Sequence, residues 1–425
     1  MSWRTNLVSR HSSLASAKTI FSSLFLVWLL LCSLSASCQQ PAQFIANPAA
    51  DGSRLPRLTV LPNGAVLLSW VETSHVGEQN EQHVLKFAVR DQDRWVRTGV
   101  VAKGKDWFIN WADFPSVVAI DARFWVAHWL VKTPGGRSYD YDIHLSVSTD
   151  AGRSWQPSIK PHRDNVAAEH GFVSIFPVNG SAGILWLDGR DYQKEGTGKF
   201  ALRYTRLDRD GTLHAEKVID DNTCTCCWTA AAVTAAGPVA AWRSRREGEI
   251  RDHHFARLQG NTWSPPAKLS EEAWSINGCP VNGPVLAANG DQVVVAWFTA
   301  ADNQPKIRAA FSRDAGVQFT APIDIDSNQP LGRASAVWLD EKTVVVAWMG
   351  AVNKISKQSP LMLRKLSVDG TSQPAFKLLD VDPGRATGVP QMVHDGDELV
   401  FAWTAPAPKY GVRTAILTHA DLHAD

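Results

Sequence analysis

Seven times along this chain a polar turn leads into an apolar stretch, a Gly or Asp turn, and a second apolar stretch that ends in Trp. The tryptophans are Trp70, Trp129, Trp186, Trp242, Trp297, Trp348 and Trp403, spaced 51 to 59 residues apart. Runs such as LTVLPNGAVLLSW and VLAANGDQVVVAW are short, rich in branched residues and broken by turn residues, so they predict antiparallel strand pairs. A polar loop of variable length follows each Trp. Then comes a third apolar run, for example DIHLSV or IRAAFS, a short turn and a fourth run. Four strands in a repeat of roughly 40–55 residues describe one blade of a β-propeller. One blade cannot bury both of its faces alone, so blades must stack around an axis, with the Trp ring filling the wide space between neighbours. The expectation is all-β: a seven-bladed β-propeller of four-stranded antiparallel blades, with six blades plus an irregular segment as the alternative. The last repeat shows three strands. Residues 42–47 (AQFIAN) are the candidate fourth, closing the ring and removing a free edge.

Ahead of the repeats, residues 1–19 carry Arg4, Arg10 and Lys18 and no acid, and residues 20–34 are almost wholly apolar. A positive start and an apolar stretch too short for a comfortable span read as an export signal. Ser35, Ala36 and Ser37 precede Cys38, an order that resembles a bacterial lipobox. Residues 1–38 are therefore expected to be a signal peptide, with Cys38 lipidated or, alternatively, with plain cleavage nearby. Residues 39–425 are expected to form one propeller domain. The location implied is the periplasm or the outer membrane of a bacterium, as a lipoprotein that meets the membrane only through its anchor. With 43 Lys+Arg against 42 Asp+Glu, nothing favours nucleic acid or an anionic membrane surface as partner, and a monomer is expected.

Two turns between third and fourth strands share a motif. The run 148–155, STDAGRSW, fits S-x-D-x-G-x-x-W throughout, and the run 312–319, SRDAGVQF, fits it with Phe319 for Trp. Fragments recur at 207–211 and 259–263. The motif resembles the Asp-box of sialidases and related BNR-repeat propellers. Its chemistry is structural: a carboxylate satisfies turn N–H groups, Gly takes a left-handed conformation, and the aromatic ring packs below.

Propeller topology gathers the segments leading into each inner strand, and the loops after each second strand, on one face. That mouth would hold Arg54, Arg190, Arg243, Arg245, Arg246, Arg251, Arg333 and Arg385. Eight cations on one face of a near-neutral chain suit a small anionic ligand such as an acidic glycan. The alternative is structural pairing with Asp188, Glu249 and Asp252. The resemblance to sialidases implies three arginines on a substrate carboxylate. Arg54-Leu55-Pro56 looks like the Arg-Ile-Pro motif of that family, and Arg251 and Arg333 are the positional candidates for the other two. Ligand-binding candidates are thus Arg54, Asp188, Arg190, Arg251, Asp252 and Arg333. The resemblance also implies a Tyr nucleophile paired with Glu, and an Asp acid/base. Asp113 is the candidate acid and Glu169 or Glu249 the candidate base. No Tyr enters an inner strand; Tyr139, Tyr192 and Tyr410 fall in second-to-third loops.

Four cysteines remain after Cys32 and Cys38: Cys224, Cys226, Cys227 and Cys279, placed by the repeat at the mouth ends of blades four and five. Export favours disulfides, and one bond from the cluster to Cys279 is the economical pairing. The alternatives are a thiolate site for copper or zinc, helped by His170, His253 or His254, and free reactive thiols. The segments 224–228, 251–252 and 279–284 also resemble a subgroup of bacterial BNR-repeat proteins grouped by similarity with exo-sialidases. The leading reading is an exported propeller that binds or hydrolyses an anionic glycan. The others are a non-catalytic binding or assembly propeller and a periplasmic cysteine–metal or redox protein.

Overall fold

The computed structural model describes residues 42–75, 81–192 and 198–422; the leader and Cys38 lie outside them. Seven antiparallel sheets are present, and each of the seven repeat tryptophans sits on the second strand of its own sheet. The inner strands are Arg54–Val60, Ser116–Ala119, His170–Val178, Ala230–Thr234, Val285–Asn289, Gly332–Trp338 and Gln391–His394. Each touches the next in that order, and the last returns to the first, so the ring is closed. The chain is a seven-bladed propeller; the six-bladed alternative is excluded. Gln43–Ile45 pairs with Gly411–Thr418, so the start of the described chain completes the seventh blade. Asn47 Nδ2 reinforces this seam, donating to Val412 O at 3.2 Å and Thr414 Oγ1 at 3.3 Å.

Two blades depart from four continuous strands, and proline explains both. In blade two the outermost place holds one bridge, Leu145 to Ile159, because Pro157 and Pro161 flank Ile159 and offer no N–H to a ladder. In blade four Pro265 and Pro266 split the outer strand into Thr262–Trp263 and Ala267–Lys268, both paired with His253–Gln259.

The core is distributed in the seams between blades. One apolar cluster joins blades five and six through Val294, Phe311, Val346 and Trp348; another joins blades seven and one through Leu58, Trp70 and Val400. Each buried indole also needs a hydrogen-bond acceptor. Nε1 of Trp242, Trp297 and Trp348 donates to Asp220, Glu272 and Asp326, at 2.8, 2.9 and 2.6 Å. These acceptors lie at or just beyond the outer strand of the preceding blade. Trp70 and Trp186 use a carboxylate two residues further along their own strands, Glu72 at 2.8 Å and Asp188 at 2.7 Å.

The two S-x-D-x-G turns have one geometry. Ser148 Oγ accepts the Gly152 N–H at 2.8 Å, and Asp150 accepts that of Ser154 at 2.9 Å. Ser312, Gly316, Asp314 and Gln318 repeat the arrangement at 2.8 and 3.0 Å. Gly152 has φ +79°, and a Cβ there would meet the Trp125 ring at 2.8 Å, so both conformation and space require glycine.

At the opposite, mouth-facing end, the inner strands of blades one, three and six each carry a register shift. Leu55, Phe172 and Arg333 there have φ of 58°, 55° and 52°. Such bulges re-aim side chains at a rim, and these non-glycine residues are held in a left-handed conformation by their surroundings.

Asp326→Ala removes the acceptor of the buried Trp348 indole. The expected cost is about 1–3 kcal/mol in denaturant unfolding, with native blade structure retained by circular dichroism; an unchanged midpoint would assign the seam to apolar packing alone.

Candidate functional site

A cavity of about 690 Å³ opens at the mouth between blades two, three, four and five. Trp111, Tyr139, Phe172 and Tyr192 supply its aromatic lining, Arg137 and Arg385 its cations, and Asp140, Glu169, Cys226 and Cys279 its acids and thiols. Arg385 is exposed, and among the described residues its guanidinium makes no ion pair.

Glu169 precedes the inner strand of blade three and bridges Tyr141, the first residue of the third strand of blade two. The Tyr141 hydroxyl reaches Glu169 Oε1 at 3.1 Å and donates to Asp113 Oδ2 at 2.7 Å. Asp113 Oδ1 accepts the Phe172 N–H at 2.8 Å. Gly171 makes this possible: a Cβ there would lie 2.0 Å from Asp113 Oδ2. The Phe108 ring stacks on Tyr141 with centroids 4.0 Å apart.

Burial dominates the acid–base chemistry of this trio. It pushes Asp113 up to about 7, against the hydrogen bonds from Tyr141 and Phe172. Burial, and then the Asp113 charge, push Glu169 up to about 8. Tyr141 is raised well above its usual value by burial and by both carboxyls. Its phenol is completely buried, so it acts as a fixed donor that positions the two acids. Asp140, on the same cavity, goes the other way. Burial opposes ionisation there, but hydrogen bonds from the Arg137 side chain and backbone, with the Arg137 charge, hold it below the usual carboxylate range. A neutral acid and an ionised carboxylate therefore line one cavity.

The Tyr–Glu pair went unrecognised in the sequence because Tyr141 enters through a third strand, where inner-strand reasoning does not look. The faint signal was its position at the head of YDIHLSVS, one residue after the loop Tyr139 occupies.

The other nominated residues have separate settings. Arg54 packs over the Tyr410 ring at 5.4 Å and lines a neighbouring cavity of about 460 Å³. Arg333 is buried, donates to Gly384 O at 3.0 Å and Gly388 O at 2.8 Å, and lies over the Trp111 ring at 4.5 Å. Burial lowers it to about 10. Arg251 pairs with Glu249 at 2.7 Å and reaches Cys224 Sγ at 3.4 Å. The three arginines do not converge on one cavity. Glu249 is held by Arg245 and Arg251, and lies outside the lining of the 690 Å³ cavity. Asp188 and Arg190 form a bidentate pair, 2.7 Å at each contact, extended by Asp164 and Glu216. Asp252 caps a loop by accepting the Ala273 and Trp274 N–H groups at 2.8 and 2.9 Å.

Cys224 lies 3.7 Å from Cys226 and 3.6 Å from Cys227, sulfur to sulfur. Cys279, on the lead-in to blade five, lines the same cavity as Cys226 and lies outside the three-sulfur group. Of the three histidines named with them, His253 and His254 belong to the third strand of blade four. His170 is in blade three, stacked on His162 at 3.8 Å and bonded to Asp164 at 3.1 Å.

No protein-family model matches the chain, and no curated protein matches it. Among solved structures, the polysaccharide lyase Uly1 aligns at 9% identity with TM-score 0.51, covering 89% of this chain and 97% of its own. A protein of unknown function from Dyadobacter fermentans DSM 18053 aligns at 14% identity with TM-score 0.49, covering 89% and 98%. The intramolecular trans-sialidase from Ruminococcus gnavus aligns at 10% identity with TM-score 0.46, covering 90% and 98%. At these identities the likeness is one of fold.

Asp113 and Glu169 hold protons more tightly folded than unfolded. Between the unfolded carboxylate range, about 4, and about 8 the native state carries the extra protons, so stability falls as pH rises through that window. Denaturant midpoints across it should decline less in Glu169→Gln than in the parent. Parallel declines would mean that the carboxyl is ionised throughout.

Proposed function

We propose that this chain is an exported, lipid-anchored, monomeric propeller that binds and hydrolyses an anionic glycan in the 690 Å³ mouth cavity. The observation that carries the reading is Glu169, a cavity-lining carboxyl kept protonated near neutral pH by burial beside Asp113. An acid with that property can protonate a leaving glycosidic oxygen. Asp140, ionised against Arg137 on the same cavity, is the matching carboxylate to activate water or stabilise developing positive charge. Tyr141 positions Glu169 and Asp113 without touching substrate. Arg385 supplies the unengaged cation for an acidic group, and Trp111, Tyr139 and Tyr192 offer faces for sugar rings.

A non-catalytic binding propeller is the second reading. Tyr139, 56% exposed on the rim, favours it.

The test uses a panel of acidic-sugar glycosides with the purified chain. Glu169→Gln should lower turnover by roughly 10²–10⁴-fold while leaving affinity within about threefold. Arg385→Ala should weaken binding of acidic sugars by about 1.5–3 kcal/mol and spare neutral ones. Binding without turnover in the parent would select the second reading, and absence of both would reject the glycan assignment.

A further inference from the structure

The four cysteines make a site that the glycan reading does not use. Cys224, Cys226 and Cys227 come from one four-residue turn between the outer strand Lys217–Asp220 and the inner strand Ala230–Thr234. A disulfide would use two of these sulfurs; here three converge on one point. Cys224 Sγ lies 3.7 and 3.6 Å from the other two, and all three sulfurs fall within 4.8 Å of one another. Thiolates about 2.3 Å from a tetrahedral metal ion stand about 3.8 Å apart, so these separations match the edges of such a cage. Two sides of the cage are already pinned. The Cys224 N–H donates to Arg243 O at 3.0 Å, and Cys224 and Cys227 are buried.

A second observation points to negative charge at this place. Arg251 is buried, 6% exposed, its Nη1 lies 3.4 Å from Cys224 Sγ, and its Nε has no hydrogen-bond partner. Glu249 engages only its Nη2. A guanidinium left with a buried, unpaired N–H beside a sulfur cluster is costly unless the cluster carries compensating anionic charge. Thiolates on a metal supply that charge, whereas thiols and disulfides do not.

We propose that Cys224, Cys226, Cys227 and Cys279 bind one thiophilic d¹⁰ cation, zinc(II) or copper(I), in the wall of the mouth cavity. Cys226 and Cys279 line that cavity, so the ion joins the lead-in segments of blades four and five behind its surface. Sulfur-only ligation selects these ions over magnesium, calcium or manganese. Each thiol that coordinates gives up its proton to solvent as its sulfur lone pair binds the metal, with no change of oxidation state. Arg251 stays in place as a positioning residue and offsets part of the net negative charge.

The proposal is independent of glycan chemistry and is tested without it. The full chain is purified after export, under anaerobic conditions, and its zinc and copper are measured by mass spectrometry. It is then stripped with chelator and reloaded with zinc(II), with cobalt(II) as spectroscopic probe, or with copper(I) under reductant. The expected result is one ion per chain, proton release on loading, and a cobalt–thiolate charge-transfer band whose intensity counts four sulfurs. Which of zinc or copper is retained identifies the natural ion. Cys279→Ser, at an exposed position, should leave a three-sulfur spectrum and weaken affinity at least about tenfold. Arg251→Gln should also weaken binding while leaving the sulfur count at four. Cys224→Ser should abolish binding; if that variant does not fold, the Cys279→Ser and cobalt results decide alone. Four freely reactive thiols after loading, or a disulfide between any two of the four in exported protein, would overturn the proposal.

Discussion

Each blade of this propeller depends on a buried indole facing its neighbour. A Trp ring large enough to fill the outward-widening gap between blades brings one polar atom with it, and that N–H must be satisfied where water is absent. Glu72, Asp188, Asp220, Glu272 and Asp326 accept five of the seven. For Trp242, Trp297 and Trp348 the acceptor belongs to the preceding blade, so one hydrogen bond closes the seam that apolar packing fills. A directional bond to a neighbour also fixes how far adjacent blades are rotated, which sets where the mouth segments meet. Closure by Gln43–Ile45 against Gly411–Thr418 ties the start of the described chain to its last blade and covers the edge of Gly411–Thr418 with a fourth strand.

The mouth works on the opposite principle. Two of its carboxyls, Asp113 and Glu169, are buried without matching cations. Asp113 is enclosed by Tyr141, Phe172 and the bare backbone of Gly171, all of which satisfy it with hydrogen bonds or space and none of which carries positive charge. Neutral protonated acids are the outcome, and Glu169 presents one of them to the cavity. A few residues away Asp188, Asp164 and Glu216 surround Arg190, and that network is saturated. Which acids stay reactive therefore follows from where the arginines go, and most mouth arginines go to structural partners. Arg333 holds backbone carbonyls, Arg243 does the same at Arg251 O, Asn282 O and Phe298 O, and Arg246 pairs with Asp220.

Blade number and ring closure were legible because they are written in local, repeated signals. The Trp spacing marks seven second strands, and the alternation around each turn marks its hairpin. The S-x-D-x-G turns were legible for the same reason, since the hydrogen bonds that their Ser and Asp side chains accept from turn N–H groups span no more than seven residues. The site was legible only in part. Glu169, Cys226 and Cys279 were placed at the mouth by topology and do line the cavity, whereas Asp140 and the role of Arg385 on it, and the fully buried Tyr141, were missed. Tyr141 acts across a blade boundary on Asp113, 28 residues away, and on Glu169, 28 residues away on the other side. No periodic pattern links those positions.

The amino-acid sequence by itself determined the architecture, because short apolar strands with polar turns and one large ring per repeat have few ways to bury both faces of every sheet. It also determined which residues reach the mouth, since that depends only on strand direction. Tertiary structure alone decided what those residues are there: which arginine is sequestered by carbonyls, which acid is stripped of water and left neutral, and which three sulfurs converge. Those outcomes depend on distances of a few ångströms between segments far apart in the chain. Electrostatic and desolvation energies change over just such distances, and a pattern of residue types does not encode them.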